Sequence, residues 1–145
     1  MVASYAPTPD VRYLMSRFVV DSSVVLHLAS GGLAVSSDHE LLAPTLLRSQ
    51  TLSALHEAVR RGELHADVAL DRLERIWRIK IRLLGDAVLR RRAWEVAERM
   101  GWADTYTAEY IALTQLQADA FMTLDAKLAR SVEGIVATAS IDALR

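Results

Sequence analysis

Short apolar segments that close on an aspartate alternate with helical segments along this chain, and this alternation restricts the fold more than any other feature. Residues 17–21 are rich in β-branched and aromatic side chains, residues 120–124 form another short apolar run, and each segment predicts a buried strand. The segments between them carry apolar residues at helical spacing. Because short apolar strands joined by helices form parallel sheets covered on both faces, the sequence predicts an α/β fold with a mainly parallel sheet.

Glycine, proline and capping residues indicate where the helices begin and end. Ser22 or Ser23 is expected to cap the first helix, and Pro44 is expected in the first turn of the second, which ends before Gly62. Further helices are predicted over residues 66–78, 87–100, 105–116 and 126–130, and further strands near residues 79–83 and 135–137. Residues 1–16 are predicted as an N-terminal tail and residues 17–145 as one domain.

The near-neutral charge of the chain conceals an uneven distribution. The formal net charge is -1, but residues 71–92 hold eight Lys or Arg against three acids, while the remaining residues hold nine against fifteen. The default interpretation of such a basic run is a solvated helical face. The functional interpretation is a flank that contacts phosphate groups, so the overall charge does not exclude RNA as a partner.

The residue content also excludes several kinds of site. The chain has no cysteine, which excludes disulfides, thiolate metal sites and thiol nucleophiles. A cysteine-free chain suits a reducing cytoplasm, and no apolar run approaches the roughly 18 residues of a membrane span. We therefore expect a cytoplasmic protein with no membrane partner.

Two aspartates follow predicted strands. Asp21 ends the first strand, and Asp125 follows the apolar segment 120–124. The carboxyl ends of parallel strands share one edge of a sheet, where ligands of open α/β folds bind. Two carboxylates at one edge repel each other unless a cation or a proton neutralises them, and Mg²⁺ and Mn²⁺ prefer oxygen ligands. A metal site at this edge is one interpretation, and a helix-capping role for Asp21 is the other.

Three segments together resemble a known family. In chain order they read FVVDSS, LLAPTLLRSQTLSAL and TAEYIALTQLQADAFMTLDAKLA. They resemble the PIN domains, and especially the VapC toxins of bacterial toxin-antitoxin pairs, over about residues 18–139. The resemblance implies a three-layer α/β/α PIN-like domain and a Mg²⁺- or Mn²⁺-dependent ribonuclease, in which a metal-activated water attacks an RNA phosphodiester. It also implies a homodimer and a VapB-like antitoxin that blocks the acidic cleft.

The family pattern has four acids, and this chain matches two of them. Asp21 and Asp125 fill the aspartate positions after the two strands, whereas Gln50 stands at the glutamate position and Thr107 at the position of the remaining acid. Asp104 lies about one helical turn before Thr107, so it either projects a carboxylate toward the site or caps the helix.

The resemblance, together with the helical spacing of Asp104, predicts two roles. The metal ligands would be Asp21, Asp104 and Asp125, and Gln50 would complete the catalytic set by positioning water. Gln50 keeps one carbonyl oxygen but has no negative charge and cannot act as a base.

Two functions follow. The first is a VapC-like metal-dependent endoribonuclease of a toxin-antitoxin pair, with Asp21, Gln50, Asp104 and Asp125 as its catalytic residues. The second is a catalytically weakened PIN domain that binds RNA or a protein, because Gln50 and Thr107 replace expected acids.

Other chemistry-bearing residues are interpreted as structural. The tryptophans and tyrosines 106 and 110 are interpreted as core or interface anchors, and Glu109 is interpreted as a solvated helix residue. The four histidines show no metal-ligand spacing.

Overall fold

A four-stranded parallel sheet forms the centre of the computed structural model, which describes residues 16–145. The predicted tail, apart from Ser16, lies outside the described residues. The strands are β1 (Arg17–Val20), β2 (Glu40–Pro44), β3 (Ile81–Leu84) and β4 (Ala120–Met122). The helices are α1 (Ser22–Ala29), α2 (Leu46–Arg60), α3 (Ala66–Arg78), α4 (Ala87–Met100), α5 (Tyr106–Gln117) and α6 (Ala126–Val132), followed by a short 3-10 helix (Ile141–Leu144).

The strand order is β3-β2-β1-β4, so β1 lies inside the sheet between β2 and β4. Its register pairs Val19 with Leu42 of β2 and with Phe121 of β4, all in parallel. Helices α1, α2 and α3 contact one another, while α4 and α5 form a second packed group against the sheet. The result is the predicted three-layer α/β/α arrangement with a parallel sheet.

The core occupies both faces of the central strands. Residues 18–20 of β1 and residues 120–122 of β4 are buried completely or almost so. Strands covered on both faces need continuous apolar sequence rather than alternation, which is why these two segments could be identified from the sequence. Leu41, Leu42 and Ala43 are buried in the same way, and this short apolar patch, which had no predicted element, forms β2.

Three predictions of local structure are wrong. Asp21, not Ser22 or Ser23, caps α1, because its extended backbone lets the carboxylate accept from the Val24 N–H. Pro44 ends β2 instead of opening α2: the Thr45 N–H donates to the Leu84 carbonyl, which keeps this backbone in the sheet.

The third wrong prediction is the strand at residues 135–137, which does not form. The Ile135 and Val136 N–H groups still donate to the Val132 carbonyl, so only an isolated bridge between Phe121 and Thr138 adds to the sheet. Among residues 16–145, none of the helices combines the length and the hydropathy that a membrane-spanning segment requires.

Candidate functional site

The Asp21 carboxylate lies at the carboxyl edge of the sheet and accepts three hydrogen bonds. Its Oδ1 accepts from the Ser23 hydroxyl at 2.5 Å and from the Val24 N–H at 3.2 Å, and its Oδ2 accepts from the Thr123 hydroxyl at 2.5 Å. The residue is half-buried at the junction of β1 and α1. Hydroxyl and amide donors therefore surround a negative charge that solvent reaches only in part.

Ser23 and Thr123 join the ends of β1 and β4 into one polar network. The Leu124 N–H donates to Ser23 Oγ at 3.0 Å, and the Asp125 N–H donates to Thr123 Oγ1 at 3.1 Å. The Asp21 N–H donates to the Met122 carbonyl at 3.3 Å, so the two strand ends also meet through their backbones. Neither hydroxyl residue was among the predicted site residues, although Thr123 directly follows an apolar strand at the edge where Asp21 was expected.

The Asp125 side chain is oriented toward helix α6. Its Oδ1 accepts from the Lys127 N–H at 3.0 Å and from the Leu128 N–H at 3.1 Å, the geometry of an N-cap. The residue is exposed. The network thus contains the Asp125 backbone, while one oxygen of its carboxylate satisfies the first turn of α6.

Gln50 is bound by a tyrosine. The hydroxyl of Tyr110 in α5 donates to Gln50 Oε1 in α2 at 2.5 Å. Burial, and then the negative charges of Asp21 and Glu109, raise the pKa of Tyr110 above its usual range. The phenol consequently stays protonated and remains a donor, so Gln50 presents its oxygen to Tyr110. The Tyr110 hydroxyl thus holds the side-chain oxygen of Gln50 between α2 and α5.

The start of α5 holds the remaining candidates. Asp104 is exposed, and its Oδ1 accepts from the Tyr106 N–H at 3.2 Å, a local turn just before the helix. Thr107, in the first turn, is half-buried. Glu109 is half-buried as well, and burial raises the pKa of its carboxyl group. Glu109 is thus less exposed to solvent than the predicted solvated helix residue would be.

The positions of these side-chain oxygens determine whether the site can hold a divalent metal ion. Mg²⁺ and Mn²⁺ need several oxygen ligands, usually including carboxylates. Among residues 16–145, no three or more His, Asp or Glu side chains group so as to hold a metal ion. Asp104 and Asp125 each accept from backbone N–H groups beside a helix start, and Asp21 accepts from two hydroxyls. As placed, these side chains do not fit a metal held by protein carboxylates alone, and the predicted metal-binding roles stay predictions.

Comparison with known proteins supports the fold. The crystal structure of PAE2754 from Pyrobaculum aerophilum is 21% identical, with a TM-score of 0.68, and the alignment covers 91% of this chain and 94% of that chain. No family model matches this chain, and no curated protein does. At this level of identity the likeness establishes the fold alone, a three-layer α/β/α domain with a parallel sheet.

Proposed function

We propose that this chain is a PIN-like domain of the VapC type that binds RNA, and that its acidic site is too poor in carboxylates for efficient cleavage. The observation that carries the proposal is the environment of Asp21. Its two oxygens accept from Ser23, Val24 and Thr123, and Gln50 accepts from Tyr110. Neutral donors occupy a network where the family resemblance implies several converging acids.

Two neutral residues account for the weakened site. Gln50 and Thr107 stand where the resemblance implies acids, so two negative charges are missing near Asp21. Each missing carboxylate lowers the affinity for a divalent cation and leaves phosphodiester cleavage with less electrostatic support. Gln50 cannot serve as a general base, since its amide group is neutral and does not take up a proton.

Basic side chains support RNA as the ligand. Arg90 and Arg91 are exposed and have no carboxylate partner within residues 16–145. Arg90 and Arg91 lie near the start of α4, which follows the carboxyl end of β3. Because neighbouring strands lie about 4.8 Å apart, the end of β3 is roughly 10 Å along the edge from the end of β1, where Asp21 lies. Phosphate groups bound along this edge would pass close to Asp21.

A second candidate function is the VapC-like endoribonuclease itself. It is favoured by Thr123, whose hydroxyl connects the Asp21 carboxylate to the Asp125 N–H, so that both predicted strand-end acids belong to one edge. This function requires Mg²⁺ or Mn²⁺, with Asp21, Asp104 and Asp125 as the predicted ligands. A homodimer, a VapB-like antitoxin and a cytoplasmic location belong to the same proposal.

One pair of measurements separates the two functions. RNA binding is measured in EDTA, and RNA cleavage is measured with MnCl₂, for the parent chain and for a Gln50→Glu, Thr107→Asp double variant. We expect the parent to bind RNA and cleave it poorly, and the double variant to gain cleavage. A Gln117→Glu variant, which adds a carboxylate at the exposed far end of α5, is the control and should gain none.

Two other results would contradict the proposed function. Rapid cleavage by the parent that Asp21→Asn abolishes would establish the endoribonuclease and refute the weakened site. Absence of RNA binding by the parent would refute both functions, because each of them requires RNA to reach the carboxyl edge of the sheet.

A further inference from the structure

An open apolar groove separates α2 from α3 and reaches the edge strand β3. It has a volume of about 440 Å³. The side chains that line it include Leu47, Leu52, Leu73, Ile76, Trp77 and Ile81. Leu52 is 53% exposed and Trp77 is 63% exposed, so two large apolar side chains face solvent at one groove. A contiguous apolar patch that is exposed to solvent is more often a binding site than an accident of packing.

Arg48 lies over the ring of Trp77. The guanidinium carbon is 5.6 Å from the ring centroid, within the range of a cation–π contact. Arg48 is exposed and has no carboxylate partner among the described residues. The groove therefore combines a largely exposed aromatic ring with an unpaired positive charge directly above it.

The charges around the groove favour an anionic ligand. The two acids beside Trp77 on α3 are already paired, Asp71 with Arg75 at 3.1 Å and Glu74 with Arg78 at 3.9 Å. Arg48, in contrast, is not paired with a carboxylate within residues 16–145. A ligand that suits this surface carries negative charge together with a flat apolar group.

We infer that the groove binds an unpaired nucleotide of single-stranded RNA, whose base stacks on the part of the Trp77 ring that Arg48 leaves exposed and whose phosphate pairs with Arg48. The inference deepens the proposed function and rests on it. Bases stack on exposed aromatic side chains with little sequence preference, and an adjacent arginine contributes both charge and cation–π stabilisation. Duplex RNA keeps its bases stacked inside the helix, so it lacks the free base that the groove accepts.

Helix α2 connects the groove with the Gln50–Tyr110 pair. Arg48 and Gln50 lie two positions apart near the start of α2, and they contact different neighbours, Trp77 of α3 and Tyr110 of α5. Positions two apart on a helix project in nearly opposite directions. A strand of RNA held at Trp77 would therefore cross the start of α2 to reach Asp21. The groove would select single-stranded RNA and fix its position relative to the carboxyl edge.

The test measures binding of a labelled single-stranded RNA of about ten nucleotides, and of its duplex form, by fluorescence anisotropy in EDTA. Trp77→Ala should weaken single-strand binding by about tenfold or more and leave duplex binding nearly unchanged. Trp77→Phe should retain most of the affinity, since it keeps a stacking ring. Arg48→Ala should lower the slope of log affinity against log salt by about 0.7.

Val68→Ala is the control. Val68 is 39% exposed on α3, the same helix as Trp77, and does not line the groove, so its truncation should leave RNA affinity as in the parent. Equal single-strand affinity of the parent and Trp77→Ala would overturn the inference, while the proposed function would stand. Absence of RNA binding by the parent would refute the proposed function and the inference with it. Loss of an associated protein in Trp77→Ala, with unchanged RNA affinity, would identify the groove as a protein-docking surface instead.

Discussion

The Thr123 hydroxyl donates to Asp21 Oδ2 at 2.5 Å, across 102 positions of sequence. Each residue directly follows a strand, and β1 and β4 are neighbours in the sheet. Thr123 also accepts from the Asp125 N–H, so one hydroxyl satisfies a half-buried carboxylate and orders the start of α6. The network around Asp21 therefore has a structural role that does not depend on any bound ligand.

Replacing Thr123 by Val removes the hydroxyl and keeps a β-branched side chain of similar size. We expect the free energy of unfolding to fall by about 1–3 kcal/mol, because a half-buried carboxylate loses one of its donors. Thr138→Val is the control, since Thr138 is also half-buried and its hydroxyl makes no hydrogen bond within residues 16–145. Urea unfolding of both variants measures the difference, and equal losses would show that the contact with Asp21 contributes nothing.

Asp125 gives a second prediction, about its capping role. Asp125→Ala should destabilise the fold by about 1 kcal/mol, since the Lys127 and Leu128 N–H groups lose their acceptor. Asp125→Asn should keep nearly full stability, because an asparagine oxygen caps a helix about as well. Thermal unfolding compares the two variants. A loss in Asp125→Asn as large as that in Asp125→Ala would mean that the negative charge, and not the cap, is what the fold requires.

The layer arrangement could be predicted from the sequence because its signals are local. Residues 18–20 and 120–122 are continuous apolar runs buried on both faces, and Gly101 ends α4 in the left-handed conformation that glycine adopts without strain. Pro44 was misplaced because the same residue suits a first helical turn or a strand end. Only its long-range pairing with Leu84 of β3 decides between them.

The site was harder to predict because its contacts join distant elements. Asp21 and Asp125 could be assigned to one edge by the strand-end rule. The direction of the Asp125 carboxylate toward α6, and the bond between Gln50 and Tyr110 across 60 positions, depend on packing that no local pattern encodes. Thr123 was missed since a threonine after a strand is common, and its role appears only once β4 lies beside β1.

Tyr110 should make stability fall at alkaline pH. Its pKa is raised in the folded state, so above about pH 10 the phenol ionises in the unfolded chain while it stays protonated in the folded chain. The folded state then binds more protons, and the free energy of unfolding decreases as pH rises. Tyr110→Phe should remove this slope. At pH 7 it should cost about 1 kcal/mol through the lost hydrogen bond to Gln50.

Ultraviolet absorbance of phenolate provides the measurement. The difference in phenolate absorbance between the parent and Tyr110→Phe isolates Tyr110, which should not ionise in the folded chain until the protein unfolds. Folded Tyr110 that titrates near pH 10 would contradict the prediction.

Glu109 should contribute a pH dependence in the acidic range. Burial raises the pKa of its carboxyl group in the folded state, so the folded chain binds more protons than the unfolded chain as pH rises past the usual glutamate pKa of about 4.3. Stability is then lost with rising pH until the folded group also ionises. Glu109→Gln removes this loss. The difference in unfolding free energy, variant minus parent, should therefore be more positive at pH 7 than at pH 4, by less than about 1 kcal/mol because solvent screens a half-exposed charge.

Chemical unfolding at the two pH values tests this expectation for Glu109. Glu98→Gln, which removes an exposed carboxylate from the neighbouring α4, corrects for the general effect of one less negative charge. A variant-minus-parent difference that is the same at pH 4 and pH 7 would show that burial does not perturb Glu109. If the difference does grow with pH, the start of α5 disfavours further negative charge beside Tyr110, and a Thr107→Asp substitution should then lower stability more at pH 7 than at pH 4.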